Sequence, residues 1–193
     1  MEPAFASLNG HHFGVIAVDP PWKFKAGKSN RSTENHYQTM SIEQISALPI
    51  ASLAAKDAAL FLWTTPPFLD LSLRVMRAWG FRYVSVGFTW IKLKKGYRDT
   101  LFLDSDIFIG LGHTSRKSTE MCLLGKRGAP KRADKNVREV IIAARREHSR
   151  KPDAFYDRAA RLYPGPCVEI FARQPRKGWT VWGNETTKFT EAA

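Results

Sequence analysis

Four consecutive residues, Asp19-Pro20-Pro21-Trp22, follow the apolar run Val15-Ile16-Ala17-Val18. A carboxylate, two prolines and an indole in a row combine hydrogen-bond acceptors with a flat apolar face. Each proline fixes φ and has no N–H to donate, so the carbonyls of Asp19 and Pro20 lie in a stiff, acceptor-rich segment. The guest that suits such a segment is a flat ring carrying an amino group, with both N–H bonds accepted and the ring face stacked. Adenine and cytosine answer that description. The structural alternative is a plain strand exit followed by a core tryptophan.

Placement of the acid favours the chemical reading. A short β-branched, apolar run that stops at an acid and two prolines reads as a buried parallel strand ending in a rigid turn. Asp19 is thereby delivered to the C-terminal edge of a sheet, where open α/β folds bind ligands. Further strand signals fall at Ala58 to Trp63, Phe81 to Leu93, Thr119 to Leu124, Val137 to Ala143, Cys167 to Phe171 and Thr180 to Trp182. Helices are expected between them. Ser41-Ile42-Glu43-Gln44 is a capping box opening toward Leu48, with a continuation over Ala51 to Ala55. Pro67 and Pro152 each begin a further helix, Phe68 to Trp79 and Asp153 to Leu162. This alternation predicts a doubly wound, mostly parallel α/β sheet of about seven to eight strands.

The chain of 193 residues reads as one domain, and its two cysteines, Cys122 and Cys167, lie in strand-like stretches as expected for buried thiols in a reducing compartment. No His/Cys cluster suggests a metal, and no run approaches the length of a membrane span. A cytoplasmic protein without a membrane partner is expected. The formal charge of +12 is uneven, because residues 1–91 carry eight Lys/Arg against six Asp/Glu while residues 92–193 carry twenty-two against twelve. Lysines and arginines grouped between apolar strands predict a nucleic-acid substrate. The irregular stretches 23–35 and 94–117 follow two of the strands, and they are read as mobile substrate loops at the mouth of the site.

The tetrapeptide in this setting resembles the motif of the MT-A70 family of adenine N6-methyltransferases, and further segments match in the family's order. They are His36-Tyr37-Gln38-Thr39-Met40, Leu60-Phe61-Leu62-Trp63-Thr64-Thr65, Trp90-Ile91-Lys92, Glu120-Met121-Cys122-Leu123-Leu124-Gly125, Lys151-Pro152-Asp153, Glu169-Ile170-Phe171-Ala172-Arg173, and Gly178-Trp179 through Trp182-Gly183-Asn184-Glu185. The resemblance implies a Rossmann-like, S-adenosylmethionine-dependent methyltransferase fold, circularly permuted so that the catalytic motif precedes the cofactor segment. It implies catalytic roles for Asp19, Pro20, Pro21 and Trp22, with the Asp19 carboxylate and the Pro20 carbonyl accepting the amine hydrogens and Trp22 stacking on a flipped base. Tyr37, Trp90 and Lys92 are implied as substrate contacts. For the cofactor, S-adenosyl-L-methionine, the implied residues are Asp19, Glu169, Phe171, Arg173, Asn184 and Glu185, with Lys151 as the clamp on its carboxylate. No metal is required.

The activity expected from these residues is site-specific methylation of adenine N6 in DNA, by a monomer or homodimer. Alternatives are an RNA adenine N6-methyltransferase and a catalytically inactive nucleic-acid-binding partner subunit. An inactive partner is expected to lose the acid, the prolines or Lys151, all of which are kept here. Cytosine N4 methylation shares the amine chemistry but goes more often with serine in place of the acid.

Overall fold

The computed structural model describes residues 5–23, 39–97, 103–110, 112, 114–147 and 149–189. Seven strands form one sheet: β1 (Phe13–Val18), β2 (Ala54–Thr64), β3 (Arg82–Leu93), β4 (Thr119–Arg127), β5 (Val140–Ala144), β6 (Cys167–Ile170) and β7 (Trp179–Trp182). Their spatial order is β5-β3-β4-β2-β1-β6-β7. All run in one direction except β4, which is antiparallel to both β2 and β3. Every strand read from hydrophobic patterning is present.

Among the described residues the α-helices are α1 (Ile42–Ser46), α2 (Ile50–Leu53), α3 (Leu69–Ala78) and α4 (Asp153–Leu162). The capping box that opens α1 is formed: the Gln44 amide donates to Ser41 Oγ at 3.2 Å and the Ser41 amide to Gln44 Oε1 at 2.8 Å. The expected continuation to Ala55 stops at Leu53, because β2 begins at Ala54 and pairs with Phe13 of β1. Before α3, Pro66–Phe68 forms a 3-10 turn rather than the first turn of the helix itself.

Strand alternation sorts the core into two layers. On one face Ile16, Val18, Leu60, Leu62, Val168 and Ile170 pack with α1, α2 and α3, through Ile45, Ile50, Leu53, Val75, Met76 and Trp79. On the other face Val15, Ala17, Phe61, Trp63, Phe88, Trp90 and Cys122 pack with Phe155, Tyr156 and Ala159 of α4. Both cysteines are buried thiols, as expected. Among the described residues, no helix is long and apolar enough to cross a membrane.

The connections around β1 position the site. From β1 the chain crosses by the α1–α2 layer to β2 on one side, whereas β6 on the other side is reached from α4 on the opposite face. Connections that diverge in this way leave a crevice at the carboxyl ends of the strands, and Asp19 stands in it.

The basic residues of the second half of the chain divide into two groups in space. Lys92, Lys94, Lys95, Arg116, Lys117, Arg145, Arg146 and Arg150 lie at or just beyond the strand ends that carry Asp19. Because β4 runs the other way, the stretch after Arg127, with Lys131, Arg132 and Lys135, leaves from the opposite end of the sheet; there the Ala133 amide bonds to the carbonyl of Leu162, the last residue of α4. Only the first group borders the crevice.

Candidate active site

Asp19 continues the alternation of Val15 and Ala17, so its side chain emerges on the α4 face of the sheet. The same period brings Lys92 there from Trp90, and Glu120 from Cys122. Lys151, just before α4, completes the group. Its Nζ lies 2.6 Å from Asp19 Oδ2 and 3.3 Å from Glu120 Oε2, while Lys92 bonds to Glu120 Oε1. The result is an alternating row of charges, Lys92, Glu120, Lys151 and Asp19, spanning strands β3, β4 and β1.

Burial sharpens these interactions. Lys151 is only 7% exposed. Burial works against its charge, but Asp19 and Glu120 outweigh that and hold its pKa above the usual lysine value. Glu120 is also disfavoured by burial, yet Lys151 and Lys92 hold its pKa down at about 2. Arg146 fixes the backbone here by donating to the Lys151 carbonyl and to Asp153 Oδ2, both at 2.7 Å. The Lys151 ammonium also sits 5.4 Å from the centre of the Trp63 ring.

Several of the expected site residues meet protein partners in this structure. Lys151, expected to clamp the donor's carboxylate, has its ammonium committed to Asp19 and Glu120. Trp22, expected to stack on a base, is 5% exposed; its ring stacks on Phe68 at 5.5 Å and its Nε1–H donates to the Trp63 carbonyl at 3.3 Å. It anchors the turn to the core. The Pro20 carbonyl already accepts the Trp22 amide at 2.8 Å, and the Pro21 carbonyl accepts the Met40 amide at 2.9 Å, so one lone pair of Pro20 remains. Trp90 is buried as well, with its Nε1–H on the Ala143 carbonyl at 3.0 Å, and Lys92 spends its charge on Glu120 and the Trp90 ring. Tyr37 lies outside the described residues.

Beside Asp19 opens a cavity of about 450 Å³, lined by Asp19, Pro20, Pro21, Thr39, Met40, Gln44, Ser149, Phe171, Ala172, Arg173, Asn184 and Glu185. The far wall is built by the strand ends of β6 and β7. Ala172 N–H donates to the Trp182 carbonyl at 2.9 Å, and a Cβ on Gly183 would come within 2.7 Å of the Ala172 carbonyl, so only glycine permits this approach. Phe171 turns the chain at φ 65°, and its ring meets Trp182 edge-on. Arg173 Nε lies 3.4 Å from Glu185 Oε2, whose partner oxygen takes Lys188. Phe171, Arg173, Asn184 and Glu185 are therefore brought together on one wall of the cavity.

Glu169 is not among the lining residues. As the residue two after Cys167 it points to the α4 face, where it accepts the Tyr156 hydroxyl and faces Arg176 Nε at 3.9 Å. Burial pushes its pKa up to about 7, against the pull of Tyr156 and Arg176. Arg176 in turn covers the Tyr156 ring at 3.5 Å and bonds to Asp153.

Glu120 is the site residue that sequence reading missed. A signal existed: it is a charged residue at an inward position of a strand whose alternate neighbours, Cys122 and Leu124, are apolar, and such a residue needs a buried counter-charge. No group of side chains that would hold a metal ion occurs among the described residues.

Comparison with known proteins agrees with this arrangement. The MT-A70 family model matches residues 13–185. A Type II methyltransferase, M.MunI, from a Mycoplasma species is 30% identical over 206 residues, covering 96% of this chain and 82% of that protein. The N(6)-adenosine-methyltransferase MT-A70-like protein of Arabidopsis thaliana is 33% identical over 90% of this chain, and the human N(6)-adenosine-methyltransferase catalytic subunit METTL3 is 30% identical over the same share. This chain spans only 24% and 28% of the lengths of those two relatives. With β1 and its Asp-Pro-Pro-Trp turn first and the cavity's far wall last, the chain belongs to the MT-A70 family of N6-adenine methyltransferases, in the permuted Rossmann-like form.

Proposed function

We propose that the protein methylates the N6 amine of adenine in DNA, using S-adenosyl-L-methionine. The observation that carries this reading is Asp19, a carboxylate at the end of β1 on the wall of the cavity, with one oxygen held by a buried lysine and the other without a hydrogen-bond partner among the described residues.

The Lys151 ammonium fixes Asp19 through Oδ2, so Oδ1 is presented to accept one hydrogen of the amine. The remaining lone pair of the Pro20 carbonyl accepts the other. Two acceptors placed in this way draw N6 out of conjugation with the ring and expose its lone pair. Positive charge develops on N6 as it is alkylated, and the carboxylate, held by Lys151, is already oriented to stabilise it, without reorganisation during the reaction. The alkylated nitrogen is strongly acidic, and Asp19 Oδ1 receives its proton; the side chain is 27% exposed, which lets the proton pass to water. Trp22 acts through packing: its ring on Phe68 and its bond to Trp63 hold the Asp-Pro-Pro turn against the core.

The donor's contribution when bound is an electrophilic methyl group on a sulfonium. A cavity of about 450 Å³ is in the usual range for a cofactor of this size. Glu185 and Asn184 offer the acceptors and donors that ribose hydroxyls and an adenine edge require, and Phe171 offers an apolar wall. Arg173 orients Glu185. The donor set fits.

DNA is favoured over RNA because the relative matched over most of both lengths is a Type II methyltransferase, whereas the adenosine enzymes are matched over about a quarter of theirs. The basic residues beside the crevice supply phosphate contacts for either polymer. The test is incubation with isotopically labelled donor and genomic DNA from an adenine-methylation-deficient host, or RNA, followed by nucleoside mass spectrometry. N6-methyldeoxyadenosine formed by the wild type and abolished by Asp19→Ala is expected. Product confined to RNA, N4-methylcytosine, or activity that survives Asp19→Ala refutes the proposal.

A further inference from the structure

Two of the most exposed large apolar side chains among the described residues, Ile109 at 68% and Leu103 at 54%, lie on the segment between β3 and β4. An isolated exposed isoleucine needs no explanation. This one is held in place by more backbone structure than a solvent-facing loop needs. The Phe108 amide donates to the Lys92 carbonyl at 2.8 Å, the Lys94 amide to the Asp106 carbonyl at 2.9 Å and the Gly110 amide to the Lys117 carbonyl at 2.9 Å, while Leu93 and Ile107 form an antiparallel bridge. The Phe108 ring is covered by the Arg145 guanidinium at 3.3 Å from its centre. A Cβ at Gly110 would come 2.2 Å from the Lys117 carbonyl, so the turn closes too tightly for any other residue.

Ile109 is therefore presented on a braced projection, and its surroundings are cationic. Lys94, Lys95, Arg116 and Lys117 are exposed, and none of them forms an ion pair among the described residues. Of the two acids among the segment's described residues, Asp104 and Asp106, the second is occupied by the Leu103 amide. An exposed isoleucine on a segment that also carries these cations fits poorly against an apolar protein surface, which would bury those charges. It fits a nucleic-acid duplex, whose phosphates take the cations and whose stacked bases take the tip of the isoleucine.

The projection is coupled to the reaction centre. Phe108 bonds to the backbone of Lys92, and the Lys92 side chain begins the charge row that ends at Asp19. Between β3 and β1 there are three strand spacings, about 14 Å. One rim thus carries both a place for an extruded base and an apolar group for the gap that the base leaves behind.

The geometry points to Ile109 as a wedge that enters the base stack when the target adenine swings out of the duplex. It is a positioning residue for double-stranded substrate and acts by offsetting the loss of stacking. This rests on the proposed methylation of DNA adenine.

The test compares wild type, Ile109→Ala and Ile109→Leu on genomic DNA from an adenine-methylation-deficient host, native and heat-denatured, with N6-methyldeoxyadenosine measured by mass spectrometry. Ile109→Ala is expected to lose about tenfold or more in kcat/KM on native DNA and less than twofold on denatured DNA, where stacking is already disrupted. Ile109→Leu should retain most activity on both, and the melting temperature should not move for either. An equal loss on the two forms of DNA, or no loss on either, overturns the wedge. So does a fall in the solution mass of Ile109→Ala from dimer to monomer by light scattering, which would assign the tip to a protein interface. A wild type active only on denatured DNA or RNA also overturns it while leaving the amine chemistry standing. Absence of N6-methyladenine from every polymer removes the underlying reading instead.

Discussion

Glu120→Gln tests the charge row most directly, because it removes one charge while keeping size and shape. In the folded protein Glu120 is held at about 2 against an ordinary 4.5, with burial opposing its charge and Lys151 and Lys92 favouring it. That difference corresponds to about 3 kcal/mol favouring the ionised form in the folded state, at about 1.4 kcal/mol per pKa step. Because the folded pKa is depressed, the contribution is fully present above pH 4.5 and is lost as pH falls toward 2. The Gln variant lacks it at every pH. The stability gap between wild type and E120Q is therefore about 3 kcal/mol at pH 7, roughly 6–12 °C in melting temperature for a chain of this length. At pH 3 the same two pKa values leave less than half of it. Differential scanning calorimetry of both proteins from pH 7 to 3 measures the gap, and other titrating groups largely cancel in the difference. A gap that stays constant across this range, or a variant more stable than wild type at pH 7, refutes the reasoning.

Three further outcomes follow from the same contacts. Lys151→Met leaves Asp19 without its charged partner, and the loss of about 1.5–3 kcal/mol for such a bond predicts a 10- to 100-fold fall in kcat with donor affinity unchanged by calorimetry; weaker donor binding at unchanged kcat would return Lys151 to the carboxylate-clamp role. Trp22→Ala opens a cavity beside Phe68 and is expected to destabilise the protein by about 3–5 kcal/mol in chemical denaturation, whereas an unchanged midpoint would show that the ring is not a core anchor. Glu169 has a folded pKa raised to about 7, so its contribution to stability is present below pH 4.5 and is lost as pH rises through 7; Glu169→Gln should therefore gain stability relative to wild type between pH 5 and pH 8 in paired thermal melts, and a pH-independent difference contradicts this assignment.

Much of the site was legible because its signals are local. Asp19 at the end of an apolar run, the prolines that follow, and the order of segments through Glu185 are all properties of neighbouring residues, and the strands appeared where β-branched and aromatic runs predicted them. The contacts of Lys151, Trp22 and Trp90 were not legible. Each depends on partners far along the chain: Lys151 on Asp19 132 positions away, Trp22 on Trp63 41 away, Trp90 on Ala143 53 away. Charge alone did not say that Lys151 faces an acid, nor could an aromatic in a motif say whether its ring lies in a pocket or in the core.

The amino-acid sequence by itself determined that a carboxylate stands at a strand end in an acceptor-rich turn, because period-two patterning and proline geometry are local consequences of residue type. Only the tertiary structure decided what that carboxylate meets. Strand order places β4 between β3 and β2, and its antiparallel direction carries Glu120 to the same edge as Asp19. Two lysines and two acids are thereby brought together around the buried Lys151, where each charge holds its neighbours in place.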